Sequence, residues 1–128
     1  LNTLNYADGS LSLMANAYDA AGNIGTTTIS VTVANTIDTI APIVSIVSPT
    51  DGSKVSASAA TVSANATDNI GVTSMTIIID GAVKATSTTG SISYRWNTRK
   101  VSVGAHTIRV EAKDSAGNTG TKIIQVTK

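Results

Sequence analysis

Apolar and polar residues alternate along most of this chain, in short runs broken by glycine, aspartate and asparagine. In His106-Thr107-Ile108-Arg109-Val110-Glu111-Ala112 the residues Ile108, Val110 and Ala112 share one face, and Thr107, Arg109 and Glu111 the other. A period of two over such a run predicts a half-buried strand. Ile124 and Val126 resume the alternation against Gln125 and Thr127. Between the runs lies Asp114-Ser115-Ala116-Gly117-Asn118-Thr119-Gly120. Its glycines permit left-handed backbone, and Asp114 and Asn118 can bond back onto the main chain in an Asx-type turn. The whole stretch predicts an antiparallel hairpin.

The chain contains this hairpin twice. Asp19-Ala20-Ala21-Gly22-Asn23-Ile24-Gly25 repeats the loop at an offset of 95 residues, and Leu1–Val33 aligns without a gap on Trp96–Lys128 with 13 of 33 positions identical. Leu11, Leu13, Ala15 and Ala17 keep the inward phase of the second copy, as do Ile29 and Val31. A fixed period of this kind is the mark of a tandem array. Residues 1–33 are therefore expected to be the C-terminal hairpin of a truncated preceding repeat, so that the chain is a piece of something longer. A lone hairpin has one uncovered face, so intermolecular contact is expected, through self-association or a hairpin swap between two copies. Residues 34–42 carry no period and end on Ala41-Pro42, which favours extended backbone and reads as a linker.

Residues 43–128 read as one complete domain. Ile43–Ser48 predicts its first strand, stopped by Pro49 and Asp51-Gly52, and Ala60, Val62, Ala64 and Ala66 mark the inner face of the next. Asp68-Asn69-Ile70-Gly71 is a turn, and Met75, Ile77 and Ile79 face inward on a third strand. Asp80-Gly81 is a tight hairpin signal before Val83–Ala85. Gly90 then precedes Ile92, Tyr94 and Trp96, and the repeated hairpin closes the domain. About seven short strands with turn signals every 8–12 residues predict an all-β, antiparallel β-sandwich.

Composition narrows the function. There is no cysteine, only one histidine, and charged residues make up 13% of the chain. Without a thiol, a second histidine or paired carboxylates in a cleft, neither a nucleophilic triad nor a metal-bound water can be assembled, so the chain is not expected to be an enzyme. No apolar run approaches the roughly 20 residues of a membrane span. Residues 1–38 carry −3 and residues 39–128 carry +4, too little to mark a nucleic-acid surface.

Several stretches together resemble the bacterial immunoglobulin-like domains found in tandem in secreted enzymes and surface proteins. They are Asp38–Ile46, Ser48–Gly52, Ala66–Val72, Ile79-Asp80-Gly81, Trp96-Asn97-Thr98, Gly104-Ala105-His106 and Asp114–Gly120. The resemblance implies an immunoglobulin-like sandwich at the cell surface or outside the cell. It implies a non-catalytic spacer or presentation module whose partners are neighbouring repeats of the same chain. The alternative is an adhesion module that binds a glycan or another cell-surface ligand.

Two sets of residues are candidates for binding. Asp38, Asp68, Asn69, Asp114 and Asn118, with Asp19 in the first copy, could supply oxygen ligands to calcium, which takes six to eight. Turn chemistry accounts for the same residue types, and no EF-hand loop is present, so no cofactor is required. Tyr94, Arg95, Trp96 and Arg99 could form a glycan-binding surface, with Lys100 beside them. Against this, Trp96 is in phase with Ile92 and Tyr94 and aligns with Leu1, so a core anchor is the competing reading. His106 aligns with Leu11, which marks it as structural.

Overall fold

The computed structural model describes residues 1–35 and 37–128. Thr36, within the predicted linker, lies outside the described residues. The chain divides into two compact units, Leu1–Ile37 and Asp38–Lys128.

In the first unit a short 3-10 turn, Thr3–Asn5, precedes β1 (Gly9–Tyr18) and β2 (Ile24–Val33), which pair antiparallel. The second unit holds β3 (Ile43–Ser48), β4 (Ala60–Thr67), β5 (Val72–Ile79), β6 (Ala82–Ser87), β7 (Ser91–Trp96), β8 (Ala105–Asp114) and β9 (Thr119–Thr127). These seven strands form two antiparallel sheets, one ordered β3-β4-β7 and the other β6-β5-β8-β9. The chain crosses between the sheets after β4, after β6 and after β7, and the result is the expected β-sandwich.

The alternation in the sequence is the reason for the layers. Val62, Ala64, Ile92 and Trp96 from one sheet meet Met75, Ile77, Ile79, Ile108, Val110, Ile124 and Val126 from the other, all at most 8% exposed. The polar partners of these residues point to solvent, so slipping any strand by one position would turn its apolar face outward. Asp80 and Gly81 both adopt positive φ (50° and 80°) and join β5 to β6 as a two-residue loop. That geometry matches the twist of the flanking strands.

The repeat recurs in three dimensions, with the same strand register and the same Asp-to-Asn clasp in the loop. The pairs Leu13↔Ile29 and Ala17↔Gly25 in β1–β2 correspond at the 95-residue offset to Ile108↔Ile124 and Ala112↔Gly120 in β8–β9. Asp19 accepts from the Asn23 amide nitrogens, main chain at 2.9 Å and side chain at 2.7 Å, and Asp114 accepts from Asn118 at the same two distances. What differs is burial. Ile108 and Ile124 are core residues, whereas Leu13 is only half-buried and Ile29 is 58% exposed.

His106 is buried in the second unit, 6% exposed, with its ring against Trp96. Its Nδ1 lies 2.8 Å from Asp80 Oδ2 and its Nε2 lies 3.0 Å from the Ser102 carbonyl oxygen. Both partners are acceptors, so both are satisfied only by the doubly protonated imidazolium. The Ser102 carbonyl and the Asp80 carboxylate accordingly raise the His106 pKa above 6.5, against the effects of burial and of the Lys128 charge. A raised folded-state pKa gives stability that is full below about pH 6.5 and is lost as pH rises through the folded value. Thermal melts between pH 5 and 9 should show this loss in the parent chain. They should show none in His106→Leu, which installs the side chain found at position 11. Parallel profiles for the two proteins would contradict the assignment.

Candidate metal centre

Three loops converge at the end of the second unit where the chain comes in. Asp38 is the first residue of that unit, Asp68 follows β4, and Asp114 ends β8. One carboxylate oxygen from each lies within 4.8 Å of the other two. All five residues singled out as calcium candidates meet here. Asn69 Nδ2 donates to Asp38 Oδ1 at 3.0 Å, and Asn118 Nδ2 donates to the Asp38 main-chain oxygen at 3.0 Å.

The turns account for part of this arrangement. Asp68 Oδ2 accepts from the N–H groups of Ile70 (3.0 Å) and Gly71 (3.1 Å), and Asp38 Oδ1 accepts from Ile40 (3.2 Å). Asp114 is tied to Asn118 as Asp19 is to Asn23. Turn chemistry leaves two atoms over. Asp38 Oδ2 and Asp68 Oδ1 are closed off from solvent and accept no hydrogen bond among the described residues. A buried carboxylate oxygen without a donor is costly, and neighbouring negative charge makes it more so. Burial pushes the Asp114 carboxyl up, but the Asn118 side-chain and backbone hydrogen bonds, with Gly117 and Ala116 behind them, outweigh it and hold the pKa below 3.8. Asp114 thus stays ionised at neutral pH.

The cluster offers hard oxygen donors with no nitrogen or sulfur, which suits calcium, magnesium or manganese better than zinc or copper. The Asp38 main-chain oxygen adjoins the carboxylates, and a half-turn of the Asn69 or Asn118 amide would add a carbonyl oxygen. Asp19, the equivalent in the first unit, is exposed, with Asn23, Ala21 and Gly22 as its partners.

The glycan candidates are placed differently. Trp96 is 4% exposed, with its ring edge-on to His106 at a centroid distance of 5.5 Å, so no face is open to stack on a sugar. Tyr94 is half-buried against the core. Arg95 and Arg99 are exposed and line one cleft with Ser58, Ala59 and Asn97. Thr98, which in the sequence is only one member of the Trp96-Asn97-Thr98 stretch, is fully buried and bonds to the main chain at Ser56 (2.6 Å) and Ser58 (3.3 Å). Its signal was the Asn-Thr pair shared by both copies, since Asn2 caps Leu4 as Asn97 caps Arg99, each at 3.1 Å.

Among solved structures the fold is similar to the fibronectin(III)-like modules of Clostridium thermocellum CbhA, with a TM-score of 0.55 and 21% identity over 95% of this chain and 63% of that one. It is also similar to the endo-beta-1,4-mannanase from Thermotoga petrophila (TM-score 0.56, 16% identity, 70% of this chain and 20% of that one). An engineered protein matches at a TM-score of 0.51 and 26% identity, over 67% of this chain and 20% of that one. The chain thus spans less than two thirds of each of these structures, and in the mannanase the likeness is confined to a fifth of an enzyme. No curated protein matches the sequence. No helix among the described residues is long and apolar enough to cross a membrane. Modules with this sandwich are typically non-catalytic and extracellular, and occur in multidomain proteins that include enzymes. A family model described as a bacterial Ig domain matches residues 42–110, more than half of the sequence and most of the sandwich, and the chain belongs to that family.

Proposed function

We propose that this chain is a spacer and presentation module of a larger secreted or surface-anchored bacterial protein, and that a calcium ion fixes the point where the polypeptide enters the sandwich. The spacer reading rests on where the second unit receives and releases the chain. Asp38 lies with Asp114 at one end of β8, whereas Thr127 pairs with Ala105 at the other. The ten residues of β8 separate the two points by about 30 Å. A unit that takes the chain in at one pole and lets it out at the other adds a fixed reach to whatever stands beyond it. Calcium at Asp38, Asp68 and Asp114 would bind the incoming segment to the turns of both sheets, which stiffens the first step of that reach.

Resistance to pulling is the property to measure. When the whole chain is pulled by its termini, the second unit should rupture as one event that releases on the order of 300 Å of chain. The rupture force should rise in calcium. Traces without a discrete rupture of that length would contradict the spacer reading.

A further inference from the structure

The cleft lined by Arg95 and Arg99 lies at the pole of the sandwich opposite the acidic cluster, since Trp96 pairs with Ala60 at the start of β4 while Thr67 ends it. From its geometry and charge we infer that this cleft binds an acidic polysaccharide, one that bears carboxylate or sulfate groups along its chain.

Four observations carry the inference. The cleft has a volume of about 390 Å³, and two of its five lining residues, Arg95 and Arg99, carry guanidinium groups. Neither guanidinium has an ion-pair or hydrogen-bond partner among the described residues. No acid stands nearby in sequence. Residues 52–67 and 81–110 contain no Asp or Glu, yet carry Lys54, Lys84, Arg95, Arg99 and Lys100, besides Arg109, which pairs with Glu111. The loop beneath is tied down, because the buried Thr98 bonds to Ser56 and Ser58 while Asn97 Oδ1 caps the Arg99 N–H. That cap leaves the Asn97 amide N–H groups as further donors.

Planar guanidinium forks match carboxylate and sulfate oxygens in pairs. Two such forks in one preorganised cleft suit two anionic groups on the same polymer better than one small ion. Because the Trp96 ring is buried and Tyr94 packs on the core, recognition would run through charge, and neutral sugars would lack the aromatic face they stack on. The same lack argues against single-stranded nucleic acid, whose bases also need stacking platforms.

The test uses the whole chain with polygalacturonate and dextran sulfate as probes. Neutral dextran, inorganic sulfate and a single-stranded DNA oligonucleotide serve as comparison arms. Arg95→Gln with Arg99→Gln should weaken polyanion binding about tenfold or more, the scale of lost charge-assisted hydrogen bonds. A control pair on the other sheet, Lys84→Gln with Lys122→Gln, removes the same net charge from exposed positions and should change binding less than about twofold at moderate salt. Melting curves of both double variants should match the parent, since all four side chains are exposed. No retention of either polyanion, equal weakening by the two pairs, or sulfate binding as tightly as the polymers would each overturn the inference. Equal or tighter binding of the oligonucleotide would reassign the cleft to nucleic acid.

Discussion

Gly120→Ala should lower the melting temperature of the second unit by about 10 °C or more, whereas Gly25→Ala, at the same position of the repeat, should leave stability almost unchanged. A Cβ at Gly120 would lie 1.7 Å from the Pro42 carbonyl oxygen and 2.8 Å from its carbonyl carbon, both main-chain atoms that no rotamer change can move. At Gly25 the added atom would meet nothing within 4 Å. Neither glycine has a positive φ, so the backbone itself accepts alanine at both sites, and the whole difference is steric. Overpacking of this severity costs about 3 kcal/mol or more, and about 4–8 °C of melting temperature goes with each kcal/mol in a domain of this size. The comparison also reports on the incoming segment, because Gly120 is where Pro42 rests. Thermal unfolding followed by circular dichroism, with amide spectra of β1–β2 for the Gly25 variant, makes the measurement. Equal and small effects at the two glycines would mean that Pro42 does not pack on β9.

The second large effect is a crossing of stabilities in Asp68→Asn. The asparagine carbonyl oxygen can accept from Ile70 and Gly71 N–H as Asp68 Oδ2 does, so the turn survives. What disappears is one negative charge and the buried oxygen that lacks a donor. Without calcium the variant should therefore be at least as stable as the parent. With calcium at about a hundredfold excess over its dissociation constant, the parent should gain about 2.7 kcal/mol, or on the order of 10 °C, and the variant should gain little. The order of the two melting curves then reverses when calcium is added. A variant that is weaker than the parent under chelator and responds fully to calcium would show that Asp68 serves the turn alone.

Much of this was legible because the sandwich obeys a period of two. Met75, Ile77, Ile79, Ile108, Val110 and Val126 are the inner faces that the alternation marks, and each is at most 1% exposed. Asp80-Gly81 and Asp114–Gly120 carry their turns in their own residue types. The five oxygen donors were legible as a set. Their meeting was not, because Asp38, Asp68 and Asp114 stand 30 and 46 residues apart and only the packing of two sheets brings them within 4.8 Å. Nor does a sequence show that turn hydrogen bonds would use one oxygen of Asp38 and Asp68 and leave the other buried. Asp80 reads as a turn residue and is one, but its side chain also reaches His106 across the β8 end, a contact with no local signal. Arg95 and Trp96 are adjacent in sequence and point to opposite faces of β7, one exposed and one buried. An aromatic-basic cluster in the text is thus split by the pleat into a core anchor and half of a cleft.

The measurement that bears most directly on the cation-held entry of the chain is a calorimetric titration of the whole protein with calcium chloride. Asp38→Asn, Asp68→Asn and Asp19→Asn are run beside the parent. Asp19 forms the same loop as Asp114 but belongs to no group of three such ligands among the described residues, so it separates a metal site from a turn. One calcium per chain is expected in the parent and in Asp19→Asn, with binding weakened at least about tenfold in the other two. No binding in the parent, or equal binding in all four proteins, would contradict that expectation.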